Sequence, residues 1–216
     1  MPRKNSSALW IWAAVFAVNV CFLLFLGGYY FVANIRFTTE CGGHLKRAAD
    51  ANTVELAHKE LSQALNYIRQ HEMTEGSTGV IFSFPKNDVG FWYTNLNDSF
   101  SELDRVIKSS PQGKIDQLGE VARSNALIKL RETLLDHGAN GEEIITTPSG
   151  IHIFPHNVSY VSSVIIAILL CVISGIALFL NSDPYSYGSG FTLVEGLVVL
   201  AIIGVLISLV AGAVLQ

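Results

Sequence analysis

Three long stretches of this chain carry almost no charge, and they decide its class before anything else does. Ala8 to Ile35 contains no Asp, Glu, Lys or Arg. Neither does Val158 to Leu180. Thr192 to Gln216 is interrupted only by Glu195. A helix crossing a bilayer needs roughly 20 apolar residues at about 1.5 Å each. All three stretches reach that length, so the expected fold is a mainly α membrane protein with three transmembrane helices. Residues 36–157, between the first two, are too many for a loop and enough for one small domain.

The first stretch follows Arg3 and Lys4, a basic start shared with secretory signals. Its apolar run far exceeds a signal's core of about 7–15 residues, and no small-x-small cleavage site follows it. We read it as an uncleaved anchor. The same two cations favour a cytoplasmic N-terminus. Arg36, Lys46 and Arg47 beyond the helix weigh little, because long domains translocate largely regardless of charge. The expected order is a cytoplasmic N-terminus at 1–7, a first helix at 8–35 and an extracytoplasmic domain at 36–157. A second helix at 158–180, a cytoplasmic loop at 181–190 and a third helix at 191–216 complete it.

The domain at 36–157 holds every charged residue of the chain except Arg3, Lys4, Asp183 and Glu195. The whole chain has a formal net charge of −4, and no basic run breaks that balance, so no nucleic-acid partner is expected. Gly42-Gly43 predicts a break between the first anchor and a soluble helix over 45–70. There, Val54, Leu61 and Ile68 fall seven apart with Ala57 and Ala64 between them, which makes one apolar seam. Val80–Phe84 predicts a short strand stopped by Pro85. Leu96, Phe100, Leu103 and Ile107 predict a second helix, with Ser99 and Glu102 as its capping box. A third helix is expected from Lys114 to Leu135, ending at Gly138. Glu143–Thr147 and Ile151–Phe154 flank Pro148-Ser149-Gly150 and predict a β-hairpin. The sum is a small α-rich domain of three helices and a short hairpin.

Candidate chemistry in this domain is sparse. Phe91-Trp92-Tyr93 is its densest aromatic cluster. It serves either as a partner surface or as core and bilayer-surface packing, and core use of aromatics favours the second. The six histidines show no metal-ligand spacing, and Pro155 argues against His152 and His156 sharing a helix face. No metal or cofactor is expected. Cys21 and Cys171 lie in apolar stretches. Cys41 has no external partner within the chain, which leaves a free thiol or a Cys41–Cys41 bridge in a homodimer. Gly76-Ser77-Thr78-Gly79 lacks the Lys-Ser/Thr ending of a phosphate loop and reads as a turn. No nucleophile triad or dinucleotide fingerprint appears, so a non-enzymatic protein is expected.

The sharpest motif lies at the start of the third apolar stretch: Gly190-Phe191-Thr192-Leu193-Val194-Glu195. Together with the helix behind it, this string resembles the processing site of type IV prepilins and pseudopilins. The resemblance implies a prepilin peptidase as partner and a cut between Gly190 and Phe191. It also implies N-methylation of Phe191 and release of Phe191–Gln216, a helix with no globular head after it. Glycine suits such a site because its backbone extends into a cleft at little steric cost. Glu195 occupies the position of the family's glutamate, which implies pairing with a neighbour's N-terminal amine. Independently of the family, an acid inside a spanning segment costs a few kcal/mol and is a functional candidate. Its depth of roughly 6–8 Å by helical rise and the helix dipole soften that cost. Gly204, Ser208 and Gly212, spaced by four, form a small-residue face suited to packing against pilin or pseudopilin helices. The topology drawn from charge puts Gly190 at the cytoplasmic face, where prepilin peptidases cut. A bacterial inner membrane is the expected location. The alternative is an uncleaved three-helix scaffold or sensor acting through its external domain.

Overall fold

The computed structural model describes residues 6–80, 82–109, 117–137 and 141–181. The third apolar stretch lies outside the described residues, and so do Gly190–Glu195, Gly204, Ser208 and Gly212. Among the described residues, two helices are long and apolar enough to cross a membrane, Leu9–Ala49 and Asn157–Asn181. The chain divides into two compact units, Met1–Phe31 with Val158–Gln216, and Val32–Asn157.

In the first unit, helix α1 (Ser6–Phe37) contributes its N-terminal part and helix α2 (Asn157–Asn181) follows. Helix α2 buries Val161, Val164, Ala167, Cys171, Ser174 and Leu178. These residues recur every three or four positions and define one face. Ala167 and Cys171 pack with Leu23 of α1, and Phe16 and Val20 border the contact. Small residues at 167 and 171 let the two backbones approach. The hydroxyl of Tyr160 donates to Leu26 O at 3.3 Å, and its ring lies 5.9 Å from that of Tyr30. The remaining faces are apolar and exposed, as at Trp10, Phe25, Ile166 and Phe179. Such faces suit lipid as solvent.

The second unit is a helical domain with one core. Its helices are α3 (Gly43–Ala49), α4 (Val54–Gln70), α5 (Val89–Ser109) and α6 (Gln117–Leu134). Helix α4 packs on α3 and α5, and α5 packs on α6. The predicted seam is the heart of this core: Ala57, Leu61, Ala64 and Ile68 are fully buried and Val54 nearly so. Leu96 and Leu103 face it from α5.

Five expectations need correction. Gly42-Gly43 does not break the helix. A π-turn spans Thr38–Gly42 and runs into α3 with helical dihedrals at both glycines. Burial of Cys41 and Leu45 on either side outweighs the weak propensity of glycine. The break falls at 50–53 instead, where Thr53 caps α4 by accepting from Leu56 N. Val80–Phe84 forms no strand among the described residues; the backbone there makes only a bridge between Ser77 and Asp88. Helix α5 begins a full two turns before Ser99. Asp88 Oδ1 caps it by accepting from Phe91 N at 2.9 Å, and Ser99 bonds back to Asn95 O within the helix. The hairpin also shifts. Strand β1 (Leu135–His137) pairs antiparallel with β2 (Glu143–Ile145), Leu135 opposite Ile145. Ile151–Ile153 is a 3-10 turn, in which the amides of Ile151 and Ile153 donate to the Pro148 and Gly150 carbonyls. Helix α6 accordingly stops at Leu134 rather than at Gly138.

Helix α4 is closed by a residue seldom found in that position. Glu72 sits in the left-handed region at φ 57°. Its amide donates to Arg69 O at 3.2 Å, and that of Met73 donates to Ile68 O at 2.9 Å. This is a Schellman cap with glutamate where glycine is usual. Met73 then turns inward, 2% exposed.

Candidate functional site

Helix α2 ends at Asn181, whose side-chain amide donates to Ala177 O at 2.8 Å. Nine residues later comes Gly190, the first residue of the motif. In sequence, the candidate processing site therefore follows closely behind a helix of spanning length.

Within the external domain, the aromatic triplet divides three ways. Phe91 stands 64% exposed in the first turn of α5. Trp92 turns into the core, and its indole N–H donates to Thr146 O at 2.9 Å. That bond fastens α5 to the segment after β2. Tyr93 is half-buried, and its hydroxyl accepts from Arg69 Nε at 3.0 Å. Consecutive helical residues point about 100° apart, so three adjacent aromatics cannot form one platform. Of the three, Phe91 alone is an exposed side chain.

Cys41 is completely buried in the domain core and is a free cysteine. A Cys41–Cys41 bridge needs two accessible thiols, so the homodimer expected through Cys41 is not supported by its position. Its sulfur instead fills core volume as a small apolar group.

Two acids pair with bases on neighbouring helices. Glu60 accepts from Arg47 Nε at 2.8 Å and lies 2.7 Å from His44 Nδ1. The hydrogen bond from Arg47, then that from His44, holds its carboxyl below the usual carboxylate range. This pairing ties α3 to α4. Glu55 is lowered chiefly by its hydrogen bond from Arg123, which ties α4 to α6. His152, half-buried within the 3-10 turn, has its pKa lowered by burial. Among the described residues, no group of three His, Cys, Asp or Glu side chains is placed to hold a metal ion. An open cleft of about 830 Å³ lies between α5 and α6. Its lining mixes Asp98, Glu102 and Glu132 with Arg105 and Lys129, so it offers no field of one sign.

Two surface residues escaped the reading of the sequence. Phe82 and Phe84 stand 69% and 54% exposed, with ring centroids 6.4 Å apart. Their alternating spacing reads as a strand with one buried face. The available signal was Pro85, which demotes such a run to an edge or a loop.

The family described as the prokaryotic N-terminal methylation motif matches residues 186–211. The match takes in Gly190, Phe191, Glu195, Gly204 and Ser208, and stops just short of Gly212. No curated protein and no solved structure matches the chain. The chain thus carries a prokaryotic methylation motif in its C-terminal region, behind two apolar helices of spanning length.

Proposed function

We propose that this chain is a bacterial inner-membrane protein processed by prepilin peptidase between Gly190 and Phe191. Residues 181–190 act as the leader and face the cytoplasm, and 191–216 form a third spanning helix. Residues 36–157 lie in the periplasm. The observation that carries this reading is the methylation-motif match over 186–211, which contains the whole Gly190–Glu195 string.

Each motif residue has a physical task in it. Gly190 leaves the scissile peptide unencumbered. Phe191 becomes the new, methylated N-terminus. Glu195 is the single acid of an otherwise apolar helix, and an amine brought to it inside the membrane would offset its cost there. Gly204, Ser208 and Gly212 give the released helix a face for close packing among pilin or pseudopilin helices. The role is that of a substrate and assembly component, linked to a type IV pilus or a type II secretion-like system. Nothing in it asks the chain to catalyse a reaction.

Expression of a C-terminally tagged chain with and without prepilin peptidase tests the reading. A short tagged fragment should appear only with the peptidase, and Gly190→Ala should abolish it. A chain that stays whole beside a processed control prepilin would move the function to the external domain. That second reading, an uncleaved scaffold, draws on the exposed phenylalanines at 82, 84 and 91.

A further inference from the structure

Gly76 to Val89 forms a closed loop. At its base, Val89 N donates to Gly76 O at 2.9 Å and Thr78 N to Asn87 O at 3.0 Å. The base is fixed, while Phe82 and Phe84 project from the loop into solvent with Phe91 just beyond it. Three exposed phenylalanines along ten residues are unusual for a surface facing only water.

The external domain itself indicates what covers them. It is joined to the two spans through Val32–Phe37 at one end and Phe154–Asn157 at the other. Each junction packs on the domain. The Phe37 ring meets Tyr67 edge-on at 6.1 Å, in the last turn of α4. Phe154 lies against Gly76, where an added Cβ would sit 3.5 Å from its ring. Gly76 has φ 97°, so glycine serves the turn, and a Cβ there would make an ordinary contact with the ring. The segment that leads into the second apolar helix therefore packs on the base of the phenylalanine loop.

We propose that this loop is a membrane-surface foot, with Phe82 and Phe84 seated in the headgroup region of the bilayer that holds the anchors, and Phe91 at its margin. Apolar aromatics such as phenylalanine bury at the boundary of headgroups and acyl chains in interfacial segments. Charge is not the attraction, since Lys86 is offset by Glu72, Glu75 and Asp88 nearby in sequence. The foot takes a lipid surface as its ligand, of either zwitterionic or anionic headgroup. This inference is independent of cleavage at Gly190.

The test uses the full chain in nanodiscs of zwitterionic phospholipid, in a Cys21→Ala background with Cys41 and Cys171 left buried. Nitroxide labels are placed singly by Phe82→Cys, Phe84→Cys and Lys108→Cys. Lys108 lies at the other end of α5, a helix of 21 residues, or roughly 30 Å away by helical rise. Collision rates with oxygen and with a water-soluble nickel chelate are compared at each label, after circular dichroism shows unchanged helicity. The foot predicts an oxygen-to-nickel ratio severalfold higher at 82 and 84 than at 108. Equal, water-like ratios at all three would overturn it and leave the phenylalanines free for a protein partner.

Discussion

Glu60 shows how one charge in this domain joins two helices. It is the shared acceptor for Arg47 and His44, with its own side chain only 12% exposed. Glu60→Gln keeps the shape and removes the charge. Because Arg47 is more than half exposed, the loss should be modest, about 1 kcal/mol. Hydrogen exchange of the α3 and α4 amides, in the full chain in nanodiscs, should rise roughly fivefold at pH 7 by that figure. The sign of the pH dependence comes from the lowered pKa. The folded state holds the Glu60 proton less tightly than the unfolded chain, so the contribution is complete above the ordinary carboxyl value of 4.5. It fades as pH falls through the folded value beneath it, and there variant and parent should converge. Cys41 makes a complementary prediction. Its sulfur is 0% exposed, so a membrane-impermeant maleimide should leave it unmodified until denaturant is added. Rapid labelling of the native chain would mean that the π-turn at 38–42 opens.

Helix α4 was legible because a strict seam of Val54, Ala57, Leu61, Ala64 and Ile68 repeats with helical period and ends in the core. Its start was not, because α3 and α4 share apolar character and differ only by the Thr53 cap. Local rules fail where tertiary burial outweighs them, as at Gly42-Gly43, and where two local signals compete, as at Ser99 against Asp88. The hairpin was expected in the right place with the wrong partner: β2 pairs back to Leu135–His137, a segment whose pattern continued the preceding helix. The Schellman cap of α4 was invisible for another reason, since Glu72 takes the left-handed position that glycine normally marks. That substitution carries a cost of up to about 1 kcal/mol. Glu72→Gly should therefore raise the thermal midpoint of the external domain, with no change in helicity. A lower midpoint would mean that the glutamate side chain contributes more than its backbone costs.

Two of the three expected spans are present as helices of sufficient length, and the Gly190–Glu195 string coincides with the methylation-motif match. The string was legible because its chemistry is local: a glycine, an aromatic residue and an acid at fixed offsets need no tertiary contact to be seen. The function of the external domain was less legible, since Phe82 and Phe84 acquire meaning only once the loop closes beside Phe154. The proposed topology predicts that a periplasm-active reporter fused after Gln216 is active in the uncleaved Gly190→Ala chain, and that one inserted at Tyr185 is inactive. The reverse pattern would put Gly190 out of a cytoplasm-facing peptidase's reach. The decisive observation is the mass of the C-terminal fragment purified through a tag from cells with active prepilin peptidase. The account predicts a fragment that begins at Phe191 and carries one methyl group on its amine. An intact chain, recovered beside a fully processed prepilin from the same cells, would contradict it.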